Sequence, residues 1–156
     1  MFHFIKKTKE NAVYAPVSGT CVDITTVDDV GFSSKIMGDG VAIIPDEGII
    51  TAPCDGEISM VFDTGHALGM VADNGAELLI HIGIDTVNLN GDGFNVLTRT
   101  DAKVKKGEPL VRFDLEKIKK SYDPVTMLIM TNGKTFEKTA VGQKVDRNTK
   151  IFGDIQ

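Results

Sequence analysis

The amino-acid sequence predicts an all-β protein, an antiparallel β sandwich or barrel with one or two short peripheral helices. Its 156 residues include 16 glycines and frequent Val, Ile and Thr. Turn signals recur about every ten residues, which is typical of many short strands. Helical periodicity is almost absent. The best helix candidate is 114–122, where Asp114 can cap the first turn and Leu115, Ile118 and Tyr122 share a face.

One strand is predicted within residues 76–87. At the period of two that a strand imposes, one face is wholly apolar and consists of Leu78, Ile80, Ile82 and Ile84. The other face consists of Glu77, Leu79, His81, Gly83 and Asp85. His81 is therefore predicted to stand on the outward face of an otherwise apolar strand, beside a glycine that cannot cover it.

Two internal repeats predict that the sandwich is partly duplicated. Residues 14–22 are echoed by residues 51–59, and each reads as an extended Ala-Pro step, a turn closed by Gly and then a strand. Residues 104–110 and 141–145 form a second pair around a Val-x-x-Gly or Val-Gly turn. The spacing of these repeats is irregular, so a solenoid is not expected.

Length and composition indicate one globular domain, predicted at residues 13–156 after a short tail at 1–12. Hydrophobic residues make up 42% of the chain and charged residues 25%, and the net charge is −5. The chain has no long basic cluster, so we do not expect it to bind nucleic acid. It also lacks an apolar run of the roughly 20 residues that a membrane span needs, and we do not expect its first residues to be a signal peptide.

Cysteine usage fits a cytoplasmic protein. Cys21 and Cys54 lie far apart in the chain and neither belongs to a Cys-x-x-Cys motif. We expect two buried free thiols rather than a disulfide or a metal site.

A second histidine, His66, has neighbours that resemble those of His81. On strand parity Phe62, Thr64 and His66 share a face, so that an apolar residue, a hydroxyl and an imidazole stand in a row. If this strand pairs antiparallel with the His81 strand, the link between residues 71 and 78 is a plausible hairpin connection. The two imidazoles would then lie within a few ångströms of each other.

Three interpretations of this pair remain open from the residues alone. Neutral imidazole is a nucleophile near pH 7 and can carry a phosphoryl group, while a second imidazole and a threonine hydroxyl stabilise the transferred oxygens. The same imidazoles could bind zinc, as a hydrolase or an interaction module, although such sites need at least three protein ligands and Asp85 is the nearby candidate. The pair could also be an inert part of the surface.

Several motifs resemble the glucose-type enzyme IIA component of the bacterial phosphoenolpyruvate-dependent sugar phosphotransferase system. The most specific is the run Leu-Ile-His-Ile-Gly-Ile-Asp-Thr-Val at 79–87, which follows Phe-Asp-Thr-Gly-His-Ala at 62–67. Residues 35–43, Ala-Pro-x-x-Gly at 52–56 and Val-Arg-Phe-Asp at 111–114 also match. The resemblance extends over about residues 13–151.

This resemblance implies a role for each site residue. His81 would be the phosphorylated nucleophile, accepting the group from the histidine phosphocarrier protein and passing it to a cysteine of the permease IIB domain. His66 would support the phosphate by a hydrogen bond, and Thr64 would hold the His66 tautomer. No cofactor is required by this chemistry, although zinc bound to His66 and His81 at a partner interface is compatible with it.

The resemblance also implies a docking surface around the two histidines. Its members would be an apolar patch, acidic flanking positions and one further apolar residue, namely Phe32, Phe62, Leu79, Asp29, Asp85 and Val87. The family often has Phe where this chain has Leu79, which keeps the patch apolar but smaller. Contact with a membrane is expected only through the permease.

Overall fold

The strands of the sandwich are short and numerous. The computed structural model describes residues 10–156. The strands are β1 Ala12–Tyr14, β2 Gly19–Asp23, β3 Asp39–Pro45, β4 Ile49–Thr51, β5 Gly56–Val61, β6 Ala67–Ala72, β7 Glu77–Ile82, β8 Phe94–Val96, β9 Lys103–Val104, β10 Pro109–Phe113, β11 Thr126–Met130, β12 Glu137–Lys138, β13 Lys144–Val145 and β14 Lys150–Gly153. The helices are α1 Val30–Ser33 and α2 Leu115–Lys119, with 3-10 helices at Ile24–Thr26 and Thr86–Leu89.

These strands form one large and two small sheets, all antiparallel. The eight-stranded sheet has the order β13-β2-β3-β11-β7-β6-β5-β9, and the three-stranded sheets have the orders β1-β14-β12 and β4-β10-β8. The fold class predicted from the sequence is therefore confirmed. In the part of the chain that is described, no helix is long and apolar enough to cross a bilayer.

Alternation along the strands divides the apolar residues between two clusters. The larger cluster fills the space between the sheets and includes Leu78, Ile80 and Ile82. A smaller cluster lies on the other face of the eight-stranded sheet, beneath α1, and consists of Ile24, Val27, Phe32, Ala42, Val125, Met127 and Ile129. The predicted thiols Cys21 and Cys54 are free and buried, and both belong to the larger cluster.

The internal repeat corresponds to a reciprocal backbone pairing. Tyr14 N donates to the carbonyl of Pro53 over 2.9 Å, and Thr51 N donates to the carbonyl of Pro16 over 2.8 Å. The two Ala-Pro steps are therefore joined by equivalent backbone hydrogen bonds, one in each direction. The second repeat places β9 and β13 at the opposite edges of the eight-stranded sheet, beside β5 and β2.

The predicted helix is present but shorter than 114–122. Asp114 caps α2 as expected, because its side chain accepts a hydrogen bond from Lys117 N, and Ile118 is buried. At the other end of the chain, most of the predicted tail at 1–12 lies outside the described residues, and β1 begins at Ala12. The domain boundary at residue 13 stays a prediction.

We expect Ile80→Ala to destabilise the protein strongly, because Ile80 is completely buried in the central strand of the large sheet. Removing its side chain leaves a cavity, and we expect a loss of about 2–5 kcal/mol in the free energy of unfolding, measured in urea. Val71→Ala is the matched control, since Val71 is 42% exposed on the neighbouring strand. A loss below about 0.5 kcal/mol for Ile80→Ala, as for a surface site, would contradict this packing.

Candidate functional site

His81 lies on β7 with the orientation that the sequence predicts. Leu78, Ile80 and Ile82 are buried, whereas the alternate residues Leu79 and His81 are only partly buried and face away from the main core. The prediction for Ile84 is wrong, because Ile84 packs against the smaller cluster instead. Gly83 explains this difference, since its φ of +80° ends the strand and the alternation with it.

His66 does not lie on a strand, so the shared strand face predicted for Phe62, Thr64 and His66 is wrong. β5 ends at Val61 and β6 begins at Ala67, and residues 62–66 form the turn between them. Gly65 closes this turn with a φ of +72°, and its N donates to the carbonyl of Phe62 over 2.8 Å. The turn nevertheless presents His66 at the end of β6.

The predicted hairpin brings the two histidines together. β6 and β7 pair antiparallel with Ala67 opposite His81, and Ile82 N donates to the carbonyl of His66 over 2.7 Å. The ring centroids of His66 and His81 are 4.9 Å apart, and the ring planes are inclined by 82°. His66 is only 3% exposed, so one imidazole is buried and the other partly accessible.

Each imidazole has a hydrogen bond at Nδ1. His81 Nδ1–H donates to the carbonyl of Gly83 over 2.9 Å. Because a carbonyl can only accept, this bond places the proton of neutral His81 on Nδ1 and leaves the lone pair on Nε2. His66 Nδ1 is hydrogen-bonded to the hydroxyl of Thr64. Within residues 10–156, neither Nε2 atom has a hydrogen-bond partner.

Burial keeps both imidazoles neutral. The pKa of His81 is lowered from 6.5 to about 4, mainly by desolvation and to a smaller extent by the neighbouring His66. The hydrogen bond to Gly83 and the charges of Asp29 and Asp85 act in the opposite direction and raise the pKa of His81. Burial also lowers the pKa of His66. The site therefore presents neutral imidazoles near pH 7.

Two aromatic rings pack against the imidazoles. The Phe32 ring centroid lies 4.9 Å from that of His81, and the Phe62 ring centroid lies 5.3 Å from that of His66. Phe62 is 38% exposed, as a docking residue should be. Phe32 is only 4% exposed, so little of its ring is accessible to a partner, and its role in docking stays a prediction. Its ring is covered in the smaller cluster because α1 packs onto the sheet.

The other predicted docking residues lie on β7, just after it, or at the start of α1. Asp29 caps α1 by accepting a hydrogen bond from Gly31 N, and Asp85 is exposed directly after the Gly83 turn. Both carboxylates are close enough to act on the charge of His81. Val87 is 47% exposed, while Leu79 is partly buried against the smaller cluster.

Three exposed apolar residues near α1 were missed by sequence reasoning. Val30 is 75% exposed, Ile36 is 80% exposed and Met37 is 38% exposed. The adjacent Ile36 and Met37 in a turn just before Gly38 were a usable signal, because isolated loops rarely place consecutive large apolar side chains in water.

Among residues 10–156 there is no group of three or more His, Cys, Asp or Glu side chains that could hold a metal ion. Asp85, the third ligand considered from the sequence, therefore does not complete a site with His66 and His81. The zinc-binding hydrolase or interaction module, which the sequence left open, has no support from this geometry.

A sequence model of the family described as phosphoenolpyruvate-dependent sugar phosphotransferase system, EIIA 1, matches residues 11–136. The chain belongs to this family. It is accordingly a phosphotransferase component, with a phosphocarrier role in sugar phosphotransfer, as the resemblance of its motifs predicted.

Relatives in the family occur both as separate chains and within longer ones. The glucose-specific EIIA component of Bacillus cereus is 43% identical over 145 residues, which is 91% of this chain and 88% of the relative. The glucose-specific EIICBA component of Staphylococcus carnosus is 46% identical over 143 residues, which is 90% of this chain but only 21% of the relative. This chain therefore spans about a fifth of that longer protein.

A solved structure shares the fold. The glucose permease IIA from Mycoplasma capricolum superposes with a TM-score of 0.82 at 35% sequence identity, and the match covers 97% of this chain and 98% of that one.

We expect the His81 imidazole to titrate far below an ordinary histidine. Its ring resonances, followed by NMR and assigned with His81→Gln, should give a pKa near 4, and those of His66 should also titrate below 6.5. In the unfolded chain His81 takes up its proton near pH 6.5, so the folding stability should fall as the pH drops from 6.5 to 4. A pKa of 6.5 or above for His81 would contradict the desolvated site.

Proposed function

We propose that Nε2 of His81 accepts a phosphoryl group from the histidine phosphocarrier protein and passes it to a cysteine of a permease IIB domain. The observation that carries this proposal is the hydrogen bond from His81 Nδ1–H to the carbonyl of Gly83. It keeps the lone pair on the nitrogen that the protein leaves unpartnered, so the nucleophile is already in the correct tautomer.

The transfer balances without an added reactant. The Nε2 lone pair attacks phosphorus, the P–N bond of the donor phosphohistidine breaks, and the donor nitrogen recovers its lone pair. In the onward step a cysteine thiolate attacks phosphorus, the bond to Nε2 breaks, and His81 returns to the neutral Nδ1–H tautomer. Such transfers depend mainly on positioning and on charge stabilisation.

The same groups that raise the pKa of His81 are suited to stabilise the phosphorylated ring. Once both nitrogens carry substituents, the ring gains positive character. The carbonyl of Gly83 and the carboxylates of Asp29 and Asp85 favour a positive charge on His81. Their stabilisation is therefore greater in the phosphorylated state than in the neutral one, which favours acceptance.

In this proposal His66 holds the transferred oxygens. We assign the Thr64 hydroxyl as donor to His66 Nδ1, which leaves His66 Nε2–H able to donate. The centroids of the His66 and His81 rings are 4.9 Å apart. A neutral donor beside the reacting Nε2 stabilises charge on the phosphoryl oxygens without competing as a second nucleophile. Phe62 against His66 and Phe32 against His81 limit the access of water that would hydrolyse the adduct.

The exposed surface around the site fits a partner with basic and apolar groups. Asp29 and Asp85 supply negative charge beside His81, and the chain has a net charge of −5. Exposed apolar side chains are present at Phe62, whose ring packs against His66, and at Val87 in the 3-10 helix after β7. Charge complementarity of this kind raises the association rate more than the affinity, which suits a carrier that must release each partner.

We further propose that the transfer uses no resident cofactor, and that zinc binds only where a partner completes the site. His66 and His81 supply two imidazole nitrogens, whereas a tetrahedral site needs more protein ligands. A partner carboxylate or imidazole at the interface would supply the missing ligands.

We expect His81→Gln to abolish phosphoryl acceptance from the phosphorylated carrier protein, because the nucleophile is gone. His66→Gln should still be phosphorylated, but onward transfer to the IIB domain should fall by about 10²–10³-fold through loss of one stabilising donor. Mass spectrometry should locate one acid-labile, alkali-stable phosphate on His81, and treatment with a chelator should leave acceptance unchanged. Equal loss of acceptance in His66→Gln and His81→Gln would refute this division of roles.

Docking is expected to depend on the exposed apolar residues that follow β7 and α1. Val87→Ala should raise the KM for the carrier protein by about fivefold with little change in kcat, because an exposed contact is lost without disturbing the imidazoles. Ile36→Ala should act in the same direction. Val141→Ala is the matched control, since Val141 is 39% exposed next to β13, at the far edge of the sheet from β7. An equal rise in KM for Val141→Ala would place docking elsewhere.

A further inference from the structure

Thr86 contacts the backbone that fixes His81, although it touches neither imidazole through a hydrogen bond. It is completely buried, at 0% exposure, and directly follows the exposed Asp85. Its hydroxyl donates to the carbonyl of Ile82, four residues earlier. A fully buried threonine with such a bond constrains the turn that it closes.

Ile82 is thereby held at both ends of its backbone. Its N donates to the carbonyl of His66, and its carbonyl accepts from Thr86. The peptide group that joins Ile82 to Gly83 therefore has a fixed orientation. This peptide is the first bond of the turn that carries the Gly83 carbonyl back towards His81.

Thr86 also packs directly on Gly83. A Cβ atom built on Gly83 would lie 2.4 Å from Thr86 Cγ2 and 3.0 Å from the carbonyl oxygen of Asp123. Together with the φ of +80°, this close approach requires glycine at position 83. Gly83 N donates to the carbonyl of Val125 over 2.9 Å, and Ile84 N donates to the carbonyl of Asp123 over 2.9 Å. The two peptides that flank Gly83 are therefore also held by the segment just before β11.

From these contacts we propose that Thr86 is a positioning residue for phosphoryl transfer, which rests on the function proposed above. Through Ile82 and Gly83, its hydroxyl holds the Gly83 carbonyl against His81 Nδ1 and so selects the tautomer with the lone pair on Nε2. Without the hydroxyl, the Ile82 carbonyl loses this partner, and the turn through Gly83 is held only by the bonds from Gly83 N and Ile84 N. The Gly83 carbonyl is then fixed less firmly, and the imidazole exchanges between its two tautomers. A fraction of the molecules then carries a proton on the nucleophilic nitrogen.

The test compares Thr86→Val, which keeps the shape but loses the hydroxyl, with Thr86→Ser, which keeps the hydroxyl. Nitrogen-15 NMR of the unphosphorylated protein reports the His81 tautomer directly. We expect the wild type and Thr86→Ser to show the Nδ1–H tautomer and Thr86→Val to show a mixture. With the phosphorylated carrier protein as donor, kcat for acceptance should fall about 10- to 100-fold in Thr86→Val while KM is unchanged.

Thr51→Val is the matched control, because Thr51 is a second buried threonine and its hydroxyl has no hydrogen-bond partner in the described part of the chain. It should keep both the tautomer and the rate. A wild-type tautomer and rate in Thr86→Val would overturn the proposal, as would an equal loss in Thr86→Ser.

If Thr86→Val does not fold, the measurements on Thr86→Ser test the proposal. Retention of the Nδ1–H tautomer with a slowly exchanging hydroxyl proton would support the proposal, and loss of that tautomer would overturn it. If wild-type His81 accepts no phosphoryl group, the proposed function fails, whereas the tautomer measurements still report whether Thr86 controls the His81 ring.

Discussion

The hydrogen bond between His81 Nδ1 and the carbonyl of Gly83 is the interaction on which the rest of the site depends. It determines which ring nitrogen carries the lone pair, and it favours the positive character that the ring acquires on phosphorylation. Strand pairing alone cannot provide it, because a carbonyl in regular β structure points along the sheet towards the next strand. The left-handed backbone at Gly83 turns this carbonyl back to the preceding side chain.

The two histidines are held by elements of different kinds, one by a strand and the other by a turn. His81 is part of a central strand with partners on both sides, Ala67 on β6 and Met127 on β11. His66 lies in a turn, yet its own carbonyl accepts from Ile82 N, so the turn is tied to the same strand. The relative position of the imidazoles is therefore fixed by main-chain hydrogen bonds, and their side chains need no mutual contact to stay aligned.

Sequence reasoning could predict His81 and its strand because a strand with one face in the core must alternate. Leu78, Ile80 and Ile82 show that period unambiguously. The same argument failed for Phe62, Thr64 and His66, whose spacing in a turn happens to equal that of a strand. Gly65 was the residue that indicated a turn here, because a glycine inside an apparent strand often marks a bend, and its φ is positive in the structure.

Phe32 could not be placed from the sequence for a different reason. A four-residue helix has too little periodicity to show which of its faces is buried. Only its packing on the sheet settles that Phe32 is covered and that Val30 is exposed.

The proximity of the two histidines was predictable from the hairpin. The positions of the Gly83 carbonyl and the Thr86 hydroxyl were not, because the hydrophobic pattern does not encode the direction of the backbone after a strand.

The order of strands in the large sheet has a consequence for how the site forms. The hairpin of β6 and β7 joins neighbouring segments, but β7 is completed on its other side by β11, which also pairs with β3. Contacts between segments so distant in the chain form slowly, because the loop between them must first be closed. Gly83 N receives its partner, the carbonyl of Val125, only when this late segment arrives. We therefore expect the chain to acquire its reactive imidazole late in folding. A partly folded molecule would then hold both histidines in one hairpin without the tautomer that makes one of them a nucleophile.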